Sequence, residues 1–297
     1  MIRVEQLSKS YGGIKALEPL SVEFQAGQVT ALLGPNGSGK STTLKALVGL
    51  VHPTTGRITI DGLDLATQRE QALSRISYLP QRLRFPESLS GEEILRFYAR
   101  LRGLGDEALR RAASIAGLNG ALRRPAGEYS GGMTQRLGLA VLSLPQAPIL
   151  LLDEPTAGLD PEGILRFNDW LREQRLRGRS IVFTTHQLGD AEDLAERVLI
   201  LAQGRLVADL TPQELRARGS VEVWLRISNW NDRFRPIAEG MGAQTLCIDE
   251  RGDYIFAAPG GAAIAVLERL RAEGADVFRF ASRSSIERFY HDTTREA

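Results

Sequence analysis

The 297-residue chain is poor in the residues that build metal centres and cross-links: one cysteine, three histidines and three methionines. The lone Cys247 excludes an intrachain disulfide and suits a reducing compartment. Cys247, Met241 and the histidines at 52, 186 and 291 have no metal-ligand spacing. Net charge is also missing, with 37 Lys and Arg against 36 Asp and Glu, formally +1, so nucleic acid has no electrostatic claim as a main partner. No apolar run approaches the roughly 20 residues needed to span a bilayer. The opening Met1-Ile-Arg-Val-Glu-Gln-Leu7 alternates like a strand and does not read as a signal peptide. The chain is thus expected to be soluble by itself, and any transport role calls for a separate membrane subunit. Repeats, low-complexity segments and heptad runs are absent from the sequence.

What is present begins with Gly34-Pro-Asn-Gly-Ser-Gly-Lys-Ser-Thr42, which fits the phosphate-loop pattern G-x-x-x-x-G-K-[ST]. The apolar run Val29–Leu33 precedes it and a helix-like stretch from Thr42 to Leu50 follows, the strand–loop–helix context the motif requires. Backbone N–H groups of Gly34, Pro35, Asn36, Gly37, Ser38 and Gly39 (proline excepted) are expected to curl around phosphate oxygens, aided by the helix N-terminus. Gly37 and Gly39 keep Cβ atoms clear of those oxygens. Lys40, conspicuous among basic residues that are nearly all Arg, would reach the β- and γ-phosphates, and the Ser41 hydroxyl would bind Mg²⁺.

Length allows one large core, or one core and a small appendage. Residues 1 to about 80 read as strands around a single phosphate-loop helix, with Gly56–Gly62 a short strand closed by an Asp-Gly turn. The block at about 82–145 turns helical: Glu92–Arg102 carries an apolar face of Ile94, Leu95, Phe97, Tyr98 and Leu101, Ser90 stands in the N-cap region, and Glu107–Gly117 follows. From Ile149 the β/α alternation returns, with Ile149–Leu152 and Ile181–Thr185 as unbroken apolar strands and a helix over about 161–177 between them. This predicts an α/β parallel-sheet core with a helical insertion. Beyond a boundary at 218/219, the order strand, helix (about 232–240), strands near 244–249 and 253–257, helix (261–273), strand (276–281) and helix (284–294) gives a small α+β domain of ferredoxin-like pattern over 219–297.

Asp153-Glu154 ends the strand Ile149–Leu152, beside the phosphate loop, where acids suit metal and water handling: Asp153 would hold Mg²⁺ and Glu154 would polarise the attacking water. Tyr129-Ser-Gly-Gly-Met133 with Gln135-Arg136 resembles the signature motif of ATP-binding-cassette (ABC) ATPases. On that resemblance, which covers about residues 1–215, Tyr11 corresponds to the aromatic that stacks on adenine, and Gln81 to the Q-loop glutamine, which touches Mg²⁺ and the water. Ala157-Gly-Leu-Asp160 corresponds to the D-loop, and His186 to the switch histidine on the γ-phosphate. Read from the residues alone, Asp160 before Pro161 is also a helix N-cap with proline at N1. Phe97 is also a core residue of the insertion.

The sequence departs from the commonest family pattern with Tyr129 for Leu, Met133 for Gln, and Ala157 at the D-loop Ser/Thr position. Ser130, Gly131 and Gly132 still supply a hydroxyl, two open N–H groups and a helix N-terminus. The resemblance implies ATP and Mg²⁺ as cofactors and a head-to-tail homodimer enclosing two ATP molecules, in which Ser130, Gly131, Gly132, Met133 and Asp160 face the partner's nucleotide. It also implies an integral membrane permease whose short helix docks after the Q-loop, at about 82–101. That places the protein in the cytoplasm, on the inner face of the membrane. The single short cassette with a small tail ending Ser285–Tyr290 resembles exporter ATPases that pair with six-helix permeases. Leu79–Leu89 and Leu95–Gly103 further resemble the subgroup serving nitrous-oxide reductase maturation and copper-site assembly. Drug, lipid, polysaccharide or antibiotic export, and a soluble ABC protein without a permease, are the alternatives. The C-terminal domain reads as a dimer-stabilising appendage or a ligand-reading module.

Overall fold

The computed structural model describes residues 1–218, 221–248 and 254–284. The chain forms two compact units, Met1–Pro212 and Gln213–Glu296, a division six residues before the 218/219 boundary read from the sequence pattern. In the first unit β1 (Ile2–Tyr11), β2 (Ile14–Phe24) and β3 (Val29–Leu33) lead to α1 (Lys40–Leu47), then β4 (Thr55–Ile60), β5 (Leu63–Asp64), α2 (Arg69–Leu73) and β6 (Ile76–Leu79). Helices α3 (Gly91–Leu101), α4 (Asp106–Ala116) and α5 (Gly131–Ser143) form the insertion. There follow β7 (Ile149–Asp153), α6 (Pro161–Leu176), β8 (Ser180–Thr185), α7 (Leu188–Leu194), β9 (Arg197–Ala202) and β10 (Arg205–Leu210).

Two sheets result. One is antiparallel, in the order β2-β1-β4-β5. Its β4–β5 turn places Asp61 and Gly62 at φ 50° and 81°, the two left-handed positions of a type I′ hairpin, as the Asp-Gly pair requires. The other has the order β10-β9-β3-β8-β7-β6, parallel except for β10. Every residue of β3, β7 and β8 is buried, which is why these strands are mostly apolar. Register brings Leu33 beside Thr185, Thr184 beside Asp153 and Leu152 beside Leu79, so the carboxyl ends of four strands share one edge. Ligands of open α/β sheets bind at that edge. One core, including Leu7, Phe24, Leu44, Ile60, Leu151 and Leu199, joins both sheets to α1.

The insertion has its own core of Ile94, Leu95, Ala99, Ala112, Leu137 and Ala140. A capping box starts α3: the Glu93 N–H donates to Ser90 Oγ, and the Ser90 N–H donates to the Glu93 carboxylate. The expected apolar face of α3 is narrower than the sequence suggests. Ile94 and Leu95 are buried and Tyr98 half-buried, but Phe97 and Leu101 are exposed, so the core reading of Phe97 does not hold. Phe97 instead stacks edge-on against Tyr98, ring centroids 5.3 Å apart.

The second unit, with α8 (Pro212–Arg218) at its start, runs β11 (Val221–Ile227), α9 (Phe234–Gly240), β12 (Gln244–Ile248), β13 (Tyr254–Pro259), α10 (Gly260–Ala272) and β14 (Val277–Ser284). Its antiparallel sheet has the order β12-β13-β11-β14, the ferredoxin-like arrangement, over a core of Ile227, Phe234, Ala238, Val266 and Leu270. Ser284, expected to begin the last helix at 284–294, ends β14; the rest of that helix, the tail Ser285–Tyr290 and His291 lie outside the described residues.

Candidate active site

The phosphate loop joins β3 to α1 with Gly37 at φ 82° and Gly39 at φ 102°, conformations glycine adopts without steric cost. Gly34 is needed for space: a Cβ there would lie 2.3 Å from the Leu201 carbonyl oxygen and 2.5 Å from Ser38 Oγ. Asn36 and Gly37 are exposed at the apex, whereas Ser38, Gly39 and Lys40 are buried at its base. The Gly204 N–H donates to the Ser38 carbonyl at 3.1 Å, tying the loop to the β9–β10 turn. Ser38 Oγ is buried with no hydrogen-bond partner among the described residues, a polar atom left for a ligand to satisfy.

Lys40, only 4% exposed, donates to the Gly34 and Pro35 carbonyls at 2.7 and 3.0 Å. Burial holds its pKa below the usual lysine value of 10.5, while the Glu154 and Asp153 charges push the other way. Ser41 Oγ donates to Asp153 Oδ1 at 2.9 Å, which puts the hydroxyl and carboxylate read as Mg²⁺ ligands side by side. Thr42 follows, half-buried, in the first turn of α1.

Asp153 closes β7, and Glu154 turns the chain away from the sheet at φ 48°, a left-handed conformation unusual for a side chain larger than glycine. Its backbone N–H donates to Thr184 Oγ1 at 2.8 Å, and Thr184 in turn donates to Asp153 Oδ1 at 2.7 Å. The Glu154 carboxylate is held from both sides. Gln81 Nε2 donates to Oε2 at 3.0 Å, and His186 Nδ1 lies 3.5 Å from Oε1, an ion pair when the imidazole is protonated. A carboxylate fixed in this way beside a phosphate-binding turn can accept a proton from a water aligned on the phosphate. Lys40, Ser41, Gln81, Asp153, Glu154 and His186 thus form one cluster at the carboxyl edge of the sheet.

The other expected residues lie apart from this cluster, with no hydrogen bond to it among the described residues. Ser130 caps α5, its Oγ accepting the Met133 N–H at 3.3 Å, with Ser130 and Gly131 exposed, Gly132 half-exposed and Met133 packed on the insertion core. Asp160 caps α6, accepting the Gly163 N–H at 2.8 Å ahead of Pro161. Tyr11 ends β1 with its ring 48% exposed and Lys9 Nζ 4.8 Å from the ring centroid. Tyr129, where leucine is commoner, donates its hydroxyl to the Ala121 carbonyl at 2.8 Å, in space that Gly91 leaves open.

Sequence reasoning missed Thr184, whose signal was two threonines closing an apolar strand. It also missed Asp190, which accepts from Thr156 Oγ1 at 2.8 Å and from Thr185 Oγ1 at 3.1 Å and so pins the loop after Glu154 to α7. Gln135 of the signature helix was noted but its contact was not: buried, it donates to the Pro155 carbonyl at 2.9 Å and links the insertion to the acid pair's loop.

Fold and geometry define a phosphate-loop nucleotide-binding cassette. The ABC transporter family profile matches residues 17–157. An uncharacterized ABC transporter ATP-binding protein of Bacillus subtilis, YdbJ, is 36% identical over 215 residues, 72% of this chain and 70% of its own. The daunorubicin resistance ATP-binding protein DrrA3 of Streptomyces coeruleorubidus is 36% identical over 73% of this chain and 70% of its own. Nod factor export ATP-binding protein I of Burkholderia pseudomallei is 36% identical over 72% of each. Among solved structures, an ATP-binding subunit of an ABC transporter superposes with TM-score 0.68 at 32% identity, over 73% of this chain and 92% of that one. A dimeric cassette in a post-hydrolysis state, bound to ADP and phosphate, shares the fold at TM-score 0.66 and 23% identity, over 71% and 99%. The chain belongs to the ABC transporter family, as an ATP-binding subunit that hydrolyses ATP in step with transport.

Proposed function

We propose that the chain powers export through a separate integral membrane permease, working as a head-to-tail homodimer held at the cytoplasmic face of the membrane. The observation that carries the catalytic reading is the grip of Gln81 and His186 on the two oxygens of Glu154, next to the Ser41–Asp153 pair. Glu154 acts as the general base on the attacking water. Gln81 and His186 hold it and sense the γ-phosphate, and Lys40 neutralises the β- and γ-phosphates. Residues Gly34 to Thr42 cradle the phosphates and Tyr11 stacks on the adenine. Ser41, Asp153 and Gln81 would hold Mg²⁺, as hard oxygen donors suit it. The ion's charge would offset that of the β- and γ-oxygens.

The dimer reading is supported by Ser130 and Gly131, exposed at the start of α5 and with no hydrogen bond to this chain's own phosphate loop among the described residues. An α-helix N-terminus there offers donors to a second copy's γ-phosphate, with Asp160 beside that interface, so ATP draws two chains shut and hydrolysis frees them.

Support for the permease comes from a cleft of about 390 Å³ lined by Tyr78, Leu83, Phe85, Tyr98 and Val141, with Arg82, Arg84 and Arg102 at it. It suits an amphipathic helix. Among the described residues no helix is long and apolar enough to cross a membrane, so the spanning part is assigned to a partner. Export, as named for the Nod factor relative, is the direction proposed, and a resistance role, as named for the daunorubicin relative, is compatible with it. The nitrous-oxide reductase subgroup rests on residues 79–103 alone.

Capture of the Glu154→Gln protein from detergent-solubilised source membranes in Mg-ATP tests the assignment. A stoichiometric multi-helix membrane protein is the expected companion. Reproducible recovery of a soluble macromolecule in its place would favour the soluble ABC alternative and end the permease reading.

A further inference from the structure

Away from the nucleotide cluster, the end of α6 and the turn into β8 meet α4 and α5 around a cavity of about 240 Å³. Arg179 lines it and is 8% exposed, yet its guanidinium makes no hydrogen bond or ion pair with any described residue. Arg111 of α4 and Arg177 open onto the same space, with the Ser114 hydroxyl beside them. The one acid there, Glu173, is already taken by Arg177 Nη2 at 2.6 Å. The Gln174 amide is likewise committed, to the Trp170 carbonyl at 3.3 Å. The cavity therefore gathers three cations against one paired carboxylate.

An unpaired buried charge is costly, and nearby like charges add to the cost. Burial holds Arg179 below the ordinary guanidinium pKa, with Arg177 and Arg111 pushing the same way and Glu173 opposing. Water alone satisfies hydrogen bonds there but neutralises nothing. Guanidinium groups fork onto tetrahedral oxyanions with paired N–H donors. The volume lies under the roughly 300–1,000 Å³ of pockets that take organic ligands, which favours a small ion.

We propose that Arg179, with Arg111 and Arg177, forms a binding site for a phosphate- or sulfate-sized oxyanion, separate from the nucleotide site. The anion bridges α4 of the insertion to the turn that starts β8, the strand whose other end bears Thr184 and leads to His186. Its occupancy stiffens the attachment of the insertion to the sheet.

The test is thermal unfolding of the full-length protein, saturated with ADP to fill the phosphate loop, against inorganic phosphate at constant ionic strength. The wild type is expected to show a saturable rise in melting temperature, shared by Arg175→Met, whose residue pairs with Glu196 outside the cavity. Arg179→Met is expected to lose the rise. Arg111→Met should weaken the apparent phosphate affinity by about tenfold or more, as expected for loss of one charge-assisted hydrogen bond, and carries the test if Arg179→Met does not fold. Equilibrium dialysis counts nucleotides. A second nucleotide per chain, lost in Arg179→Met, would overturn the proposal, because the cavity would then hold an organic ligand and not a small ion. A wild type indifferent to phosphate, or an equal rise in all four proteins, overturns the proposal.

Discussion

The Thr184 hydroxyl donates to Asp153 Oδ1 at 2.7 Å while accepting the backbone N–H of Glu154 at 2.8 Å, so one side chain on β8 sets the position of both acids that end β7. Thr184→Val keeps the shape but strands a buried N–H. A stability loss of about 1–3 kcal/mol is expected from denaturant unfolding, together with a drop in ATP turnover. Thr184→Ser should recover most of both. Full activity in the valine variant would remove Thr184 from the positioning of the acid pair.

Glu154→Gln keeps a partner for Gln81 and His186 but cannot take a proton. Turnover should fall by about 10²–10⁴-fold, with ATP still bound. Light scattering in Mg-ATP should then find a lasting dimer. Hydrolysis at the wild-type rate would transfer the base role elsewhere.

Lys40 gives a pH dependence whose sign follows from its lowered pKa. A lysine with a folded pKa under its unfolded value costs stability while charged in both states. That cost is relieved as pH rises through the folded value towards 10.5. Nucleotide-free wild type should gain stability relative to Lys40→Met over that alkaline interval. Nucleotide affinity should move oppositely, weakening as the ammonium deprotonates, and turnover should vanish in Lys40→Met at any pH. Parallel unfolding curves and nucleotide titrations at stepwise pH up to 10.5 check both arms.

Gly34→Ala forces a methyl group against the Leu201 carbonyl, so the backbone of the loop or of β9 must give way. The expected cost is about 1–3 kcal/mol, with weakened ADP binding by calorimetry. Gly37→Ala meets no atom within 4 Å but holds φ 82°, so about 1–2 kcal/mol of backbone strain is its whole penalty. Equal nucleotide affinity in Gly34→Ala and wild type would separate loop shape from phosphate binding.

Much of this architecture was legible because it is written in local pattern. The buried strands Val29–Leu33 and Ile149–Asp153 are largely apolar runs, and Ser90 with Glu93 announces the start of α3. Asp61-Gly62 announces its hairpin in the same way. Lys40, Ser41, Asp153 and Glu154 were readable because each sits where a strand meets a phosphate-binding turn. What escaped depends on register across distant strands. Nothing near Thr184 in sequence says that it stands opposite Asp153. Nor does the helical period of 91–101 separate Tyr98, which turns inward, from Phe97 and Leu101, since that choice depends on where α5 packs. Arg179 escaped for the same reason, as its isolation is defined by helices some thirty to seventy residues upstream as well as by its own turn.

Strand β3 carries the phosphate loop, yet its two neighbours begin only at Ser180 and Arg197. During synthesis at about 5–20 residues per second, the loop leaves the ribosome on the order of ten seconds before the strands that flank it. Until then both edges of a largely apolar strand are open to other chains, and the Gly204 N–H that anchors Ser38 has not been made. A nascent chain stalled before residue 204 would hold a complete nucleotide-binding motif and no nucleotide-binding site. Such stalled chains are therefore natural clients for chaperones, whatever the stability of the finished protein.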